Sequence, residues 1–175
     1  MSMLIRSANL IDNSIGALGR ISSWLTLVLV ALVAGDVLFR YIWHVSSVPE
    51  QELEWHVLAV IAMFGASYTL QQGEHVRVDV FYQHYSTRTK RWMDVLVPAL
   101  FIVPTMLFIA WQSLEFVSMS WAVNEASPDP GGLPARYIIK AFVPLGFFLA
   151  AMQGVAMTLQ GIIQLKQMEH SKHDG

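Results

Sequence analysis

Four stretches of this sequence are long and apolar enough to cross a bilayer, and that feature limits the chain more than any other. They cover residues 22–39, 53–70, 95–117 and 142–163. A bilayer core asks for about 20 mostly apolar residues in a helix, and an 18-residue span reaches roughly 27 Å. The first stretch is charged only at Asp36, near its end. The second confines Glu54 and His56 to its first turn. The third carries Pro98, Pro104 and Glu115, and the fourth has no charge. Helices of a soluble bundle would show one apolar stripe with charges opposite, whereas these are apolar all round. Composition supports the point: charged residues make up 14% of the chain, against about 25% in soluble domains, too few to cover a core with polar surface. The expected fold is an all-α membrane protein, one domain over residues 1–175 with four transmembrane helices.

Several function classes fall away. The chain has no cysteine, so disulfides and cysteine-ligated metals are excluded. A net charge of −2 gives no general attraction to nucleic acid. The lead before Trp24 is long for a signal-peptide n-region, so the first span is expected to be an uncleaved anchor. Lys and Arg set the orientation. If both termini share a side, that side holds eight: Arg6, Arg20, Arg77, Arg88, Lys90, Arg91, Lys166 and Lys172. The other side holds three: Arg40, Arg136 and Lys140. The bias places both termini and the middle loop in the cytoplasm. Five tryptophans, at 24, 43, 55, 92 and 121, fall near span ends as an aromatic belt does, while Trp111 lies deeper and needs a packing partner.

The connections also carry pattern. Leu4, Ala8, Ile11, Ile15 and Leu18 recur at spacings of four and three, which predicts an N-terminal amphipathic helix. It either lies on the inner membrane surface or extends the first span into the cytoplasm, and Gly16 and Gly19 offer a bend. Val78, Phe81, Tyr82 and Tyr85 predict a short interfacial helix in the cytoplasmic loop, with Ser86 capping the helix that follows. The outer loop contains SPDPGG at residues 127–132, whose prolines and glycines preclude regular structure and imply a shaped turn or a contact surface. Glu50, Glu52 and Asp129 are outer acids expected to help form a docking surface, with ordinary solvation the alternative for each.

Catalytic motifs are absent: there is no nucleophile elbow, phosphate loop or zincin pattern. Haem in a bundle wants histidines from facing spans, and only His56 lies inside one. The run ELEWH at 52–56 fits no zinc spacing. No span carries a charge near its middle and no internal repeat is visible, unlike a self-sufficient ion-coupled carrier. Asp36 and Arg40, at i and i+4, make either a local ion pair or a contact to a partner. Gly146, Ala150, Gly154 and Thr158 recur every four residues, a small-residue stripe that lets another helix approach closely. That helix belongs either to this chain's own bundle or to a partner membrane protein.

Short motifs then combine in order: VLFRYIW at 37–43, PEQELEW at 49–55, FGASYTLQQGEHVRVDV at 64–80, LP at 133–134 and KAFVPLGFFLAAMQG at 140–154. Together they resemble the small membrane subunit of tripartite ATP-independent periplasmic (TRAP) transporters, the DctQ type, over residues 21–164. The resemblance implies a non-enzymatic subunit of the bacterial inner membrane. Its implied partners are a large membrane subunit and a periplasmic substrate-binding protein, and its implied role is a static scaffold for an elevator that takes up an organic acid or related solute. No cofactor is expected in this chain, and sodium coupling is expected in the large subunit. The motif residues carried over are Arg40, Glu52, Gly73, His75, Arg77, Asp79, Lys140, Pro144, Gly146, Ala150 and Gly154, as partner-facing or structural positions. Arg77 and Asp79 would pair with each other or bind membrane lipid headgroups. The alternatives from other classes are a membrane anchor subunit of a redox enzyme, binding quinone or haem, and a small autonomous carrier or channel.

Overall fold

The structure, a computed structural model, describes residues 2–73 and 85–173. Every regular element among them is helical: α1 (Ser2–Trp43), α2 (Val48–Gln72), α3 (Thr87–Val97), a π-helical turn (Pro98–Ile102), α4 (Val103–Ala122) and α5 (Tyr137–His173). The third span is one rod, Thr87–Ala122, made of α3, the π-turn and α4. Each of the four apolar stretches lies inside one of four helices long enough to cross a membrane. The chain runs up α1, down α2, up α3–α4 and down α5, so both described ends lie at one end of the bundle.

Helix α1 settles the question left at the N-terminus. It is continuous for 42 residues, about 63 Å at the α-helical rise, so the amphipathic segment extends the first span without a break at Gly16 or Gly19. Both glycines are contact points. A Cβ on Gly19 would fall inside the Tyr68 ring, and one on Gly16 would meet the Gln71 amide at 3.4 Å. Ala8 and Ile15, two members of the predicted apolar stripe, are fully buried.

The third span owes its π-turn to its prolines. Pro98 and Pro104 have no N–H to give to the carbonyl four residues back, and each ring crowds that carbonyl. The backbone widens instead, and the Val103 N–H reaches Pro98 O, five residues back. Ser86 caps α3 as expected, its hydroxyl accepting the Thr89 N–H at 3.2 Å. The interfacial helix expected over Val78–Tyr85 falls almost wholly on residues 74–84, outside the described residues.

Helix α5 is the hub. It packs against α1, α2, α3, the π-turn and α4, while α1 and α2 pack on each other and α4 rests on α5. The interior is mostly small or polar: Ala8, Ala110, Ala150, Ala151, Ala156, Ser22, Ser67, Ser120 and Gln153 are buried, with Ile15 and Val95 the larger apolar residues among them. Large apolar side chains such as Trp24, Leu27, Leu38, Phe101, Phe108 and Trp111 face outward. This inverts a water-soluble core and suits a solvent of lipid chains, in which helices associate by close backbone approach. Between α2 and α4 an apolar groove of about 350 Å³ is floored by Gly146 and Ala150 and walled by Met63, Leu70 and Met106.

The stripe on α5 belongs to this bundle. Four residues advance a helix by about 400°, so each step of four drifts by about 40°. Two steps turn the stripe from one neighbour to the next. A Cβ on Gly146 would lie 2.8 Å from Met63 Cβ on α2, and one on Gly154 would lie 2.9 Å from Val103 Cγ2 on α4. Gly161, about two turns further on, would meet Val95 Cγ2 at 2.7 Å. Of the two occupants left open for the stripe, the structure supplies the internal one.

Candidate functional site: the loop end of the bundle

Where α1 meets α2 and α4 meets α5, the chain gathers Glu52, Glu125, Arg136 and Lys140 around residues 123–136. The local sequence explains how. Pro49 sits in the first turn of α2, where a missing N–H costs nothing, and Glu52 follows in the next turn of a firm helix. Its carboxylate reaches the loop. Oε1 accepts the Ser127 hydroxyl, and Oε2 accepts the Leu133 N–H at 2.5 Å. Gly132 lies against this pair, for a Cβ there would stand 2.5 Å from Ser127 Oγ and 2.9 Å from Glu52 Oε2.

Inside the loop, residues 129–132 form a type II turn. Pro130 and Gly131 occupy its centre, Gly131 at φ +81°, and the Gly132 N–H bonds to Asp129 O at 3.0 Å. The legs are joined by Ser127 N–H to Leu133 O at 3.1 Å, and Ser127 Oγ accepts the Asp129 N–H at 3.1 Å. The prolines and glycines that preclude a helix thus specify a single tight turn. Asp129, the first residue of that turn, is exposed near the apex of the 127–133 loop and makes no ion pair among the described residues.

A second carboxylate ties the base of the loop. Glu125 O accepts the Arg136 N–H at 2.9 Å, and the Glu125 carboxylate pairs with Lys140 on α5. The hydrogen bond from Lys140, with the charges of Lys140 and Arg136, holds the Glu125 carboxyl below its ordinary value. The Lys140 ammonium also sits 4.2 Å from the centre of the Phe116 ring. Trp121 meets Tyr137 edge-on, with ring centres 4.5 Å apart, and closes the joint between α4 and α5.

Arg40 pairs with Asp36 on its own helix; Asp36 is buried and its Oδ1 has no partner among the described residues. Gly73 ends α2 in the left-handed region at φ +74°, its N–H on Leu70 O at 3.2 Å, which is why glycine opens the GEHVRVD motif. His75, Arg77 and Asp79 lie outside the described residues. Pro144 is buried within α5, beside Gly146, Ala150 and Gly154 in the helix contacts given above. Glu52 is no free surface charge, since both its oxygens are engaged, whereas Glu50 and Asp129 stay exposed. His56 Nδ1 lies 2.5 Å from the Glu52 carbonyl oxygen one turn back, and among the described residues no group of acids and histidines is arranged to hold a metal ion.

Sequence reasoning missed two features. One is the partnership of Glu52 with Ser127, 75 residues away. The other is a polar knot at the opposite end. There Gln153 Nε2 donates to Asp12 Oδ1 at 3.1 Å, and Gln71 Nε2 donates to Asp12 O at 2.5 Å. It joins α1, α2 and α5. An amide near the middle of an uncharged span was its signal, because a polar group in lipid needs a partner on another helix.

The model of the family described as tripartite ATP-independent periplasmic transporters, DctQ component, matches residues 29–164. No curated protein and no solved structure matches the chain.

Proposed function

Since the chain belongs to the DctQ component family of tripartite ATP-independent periplasmic transporters, we propose that it is the static scaffold beside the large subunit in sodium-coupled uptake of an organic acid or related solute. The family is that of a transporter component, not an enzyme, and the chain is a multi-pass membrane protein. Membership implies a complex with a large membrane subunit and a periplasmic binding protein. In the proposed arrangement the chain sits in the bacterial inner membrane with both termini in the cytoplasm, the loop end faces the periplasm, and solute and sodium are handled by the large subunit without a cofactor here.

The observation that carries the scaffold reading is the outer face of α4. That helix rests on α5, and together with the π-turn before it leaves Phe101, Phe108 and Trp111 more than half exposed. Trp111 is the tryptophan that lies far from a span end, and this bundle gives it no cover. A helix of the large subunit is the proposed cover. Stiffness comes from the glycine contacts at 19, 146, 154 and 161, which bring backbones close and leave little slack.

Co-expression with the large subunit and capture in mild detergent tests the reading. The wild-type chain should bring the large subunit with it, and Trp111→Ala with Phe108→Ala should lower recovery several-fold while the chain itself stays folded. Equal recovery from the double variant would remove α4 as the contact, and no recovery from wild type would remove the scaffold role. Orientation is checked in the same cysteine-free background: a cysteine at Ser86 should resist membrane-impermeant labelling from outside spheroplasts.

A further inference from the structure

Resting on the transporter reading, we infer that Glu52 is the positioning residue of the periplasmic docking loop. Its carboxylate clamps the 127–133 turn so that Asp129 stands at the apex toward a basic patch on the substrate-binding protein. Three bonds within the turn set its shape: Ser127 N–H to Leu133 O, Gly132 N–H to Asp129 O and Asp129 N–H to Ser127 Oγ. Pro128 and Pro130 have no N–H, so two of its residues donate no backbone bond. What fixes the turn to the bundle is a hold from outside the loop. Glu52 takes one donor from each leg, the Ser127 hydroxyl and the Leu133 N–H. A carboxylate suits this place because both oxygens accept. A glutamine would offer one acceptor and turn an NH₂ toward the other donor.

The clamp stands on the second turn of α2, which is packed against α1 and α5, so the loop inherits the rigidity of the bundle. Ser127 serves twice. Its hydroxyl donates to Glu52 and accepts the Asp129 N–H, and this second bond passes the position of Glu52 to the backbone of Asp129. Gly132 leaves room for the clamp and for nothing more. The result is an acid held at an exposed apex, uncompensated among the described residues, on a loop that is ordered before the partner arrives. Ordering before contact lowers the entropy lost on docking, and a lone negative apex favours a positive counterpart.

The test is uptake by proteoliposomes holding this chain with its large subunit, driven by increasing amounts of solute-loaded binding protein. Glu52→Ala should raise the half-saturating concentration of binding protein about tenfold and change maximal uptake less than twofold. Gly132→Ala, which leaves every charge in place but fills the space of the clamp, should give the same shift. Asp129→Ala should weaken docking by itself, and adding Glu52→Ala to it should cost clearly less than tenfold more, because Glu52 acts through the apex. A general structural role for Glu52 would lower maximal uptake and would add fully to Asp129→Ala, and either outcome overturns the inference. If Glu52→Ala does not assemble, Gly132→Ala carries the test, and an unchanged half-saturation there overturns it equally. Wild-type vesicles that take up no solute would instead sink the transporter reading, and this inference with it.

Discussion

The membrane-embedded contacts and the loop end hold the same chain together by opposite means. Along α5 the contacts are made by what is missing: glycines at 146, 154 and 161 let α2 and the third span come within van der Waals reach of its backbone. At the loop end the contacts are made by charge, with Glu52 and Glu125 each drawing a strand of irregular backbone onto a helix. The solvent accounts for the difference. Lipid tails give apolar side chains no reason to prefer each other, so only close fit and the occasional polar bond hold helices together. Water competes for every backbone group of a loop, so a loop keeps one shape only where strong acceptors hold its donors.

The largest break in this contrast should come from filling a glycine contact. Gly154→Leu places a branched side chain where Val103 Cγ2 and Ile102 Cγ2 already lie within 2.9 and 3.1 Å of a Cβ. Overpacking of this kind costs about 1–3 kcal/mol. The loss should appear as a lower unfolding temperature of the purified chain in detergent, with no large subunit present. Gly65 is the internal control, since nothing lies within 4 Å of a Cβ there, and Gly65→Leu should leave the unfolding temperature nearly unchanged. Equal destabilisation by the two variants would mean that glycine contacts do not hold the bundle.

A smaller effect should come from a place where the bundle interior borrows the chemistry of the loop end. Gln153→Leu keeps the volume of the side chain but removes the donor to Asp12 Oδ1, and so weakens the link between α1 and α5. Interhelical hydrogen bonds in membranes are worth about 0.6–2 kcal/mol. The change should raise hydrogen exchange in residues 8–20 of α1 and leave the α4–α5 contact untouched. Uniform loosening of all four helices would show that the knot is part of one cooperative core and not a separate tie.

These two regions also differed in how far the sequence disclosed them. The spans, their order and the Ser86 cap were legible because bilayer thickness and helix capping act on neighbouring residues. The small stripe on α5 was legible as a stripe, but periodicity tells which side of a helix is small and not what lies against it. Gly19 suggested a bend and turned out to mark the approach of Tyr68, since a glycine in sequence does not distinguish freedom from closeness. Glu52 reads in the sequence only as an outer acid for docking or ordinary solvation, because its partners stand 75 and 81 residues away. Gln153 carried no charge to draw notice, although its amide is almost wholly buried.

The smallest effect belongs to the base of the loop, and it is a matter of pH. Glu125 titrates below its ordinary value of 4.5 because Lys140 donates to its carboxylate and because Lys140 and Arg136 are positive. A carboxylate whose folded-state value is depressed binds fewer protons in the ordered loop than in a disordered one. Its contribution to loop order is therefore fully present above about pH 4.5 and is lost as pH falls through the lower folded-state value. Lowering the pH from 6 to 3 should loosen the Arg136 N–H, which bonds to Glu125 O, while the glycine contacts along α5 hold because they contain no titrating group. Hydrogen exchange of that amide, corrected for the intrinsic pH dependence, is the readout. Lys140→Met removes the donor and its charge, so the Glu125 value should return toward 4.5 and loosening should begin at higher pH than in wild type. A wild-type loop whose protection stays flat down to pH 3 would mean that the Glu125 carboxylate does not hold the base of the loop, and that the turn is kept in place by the Glu52 clamp and its own backbone bonds.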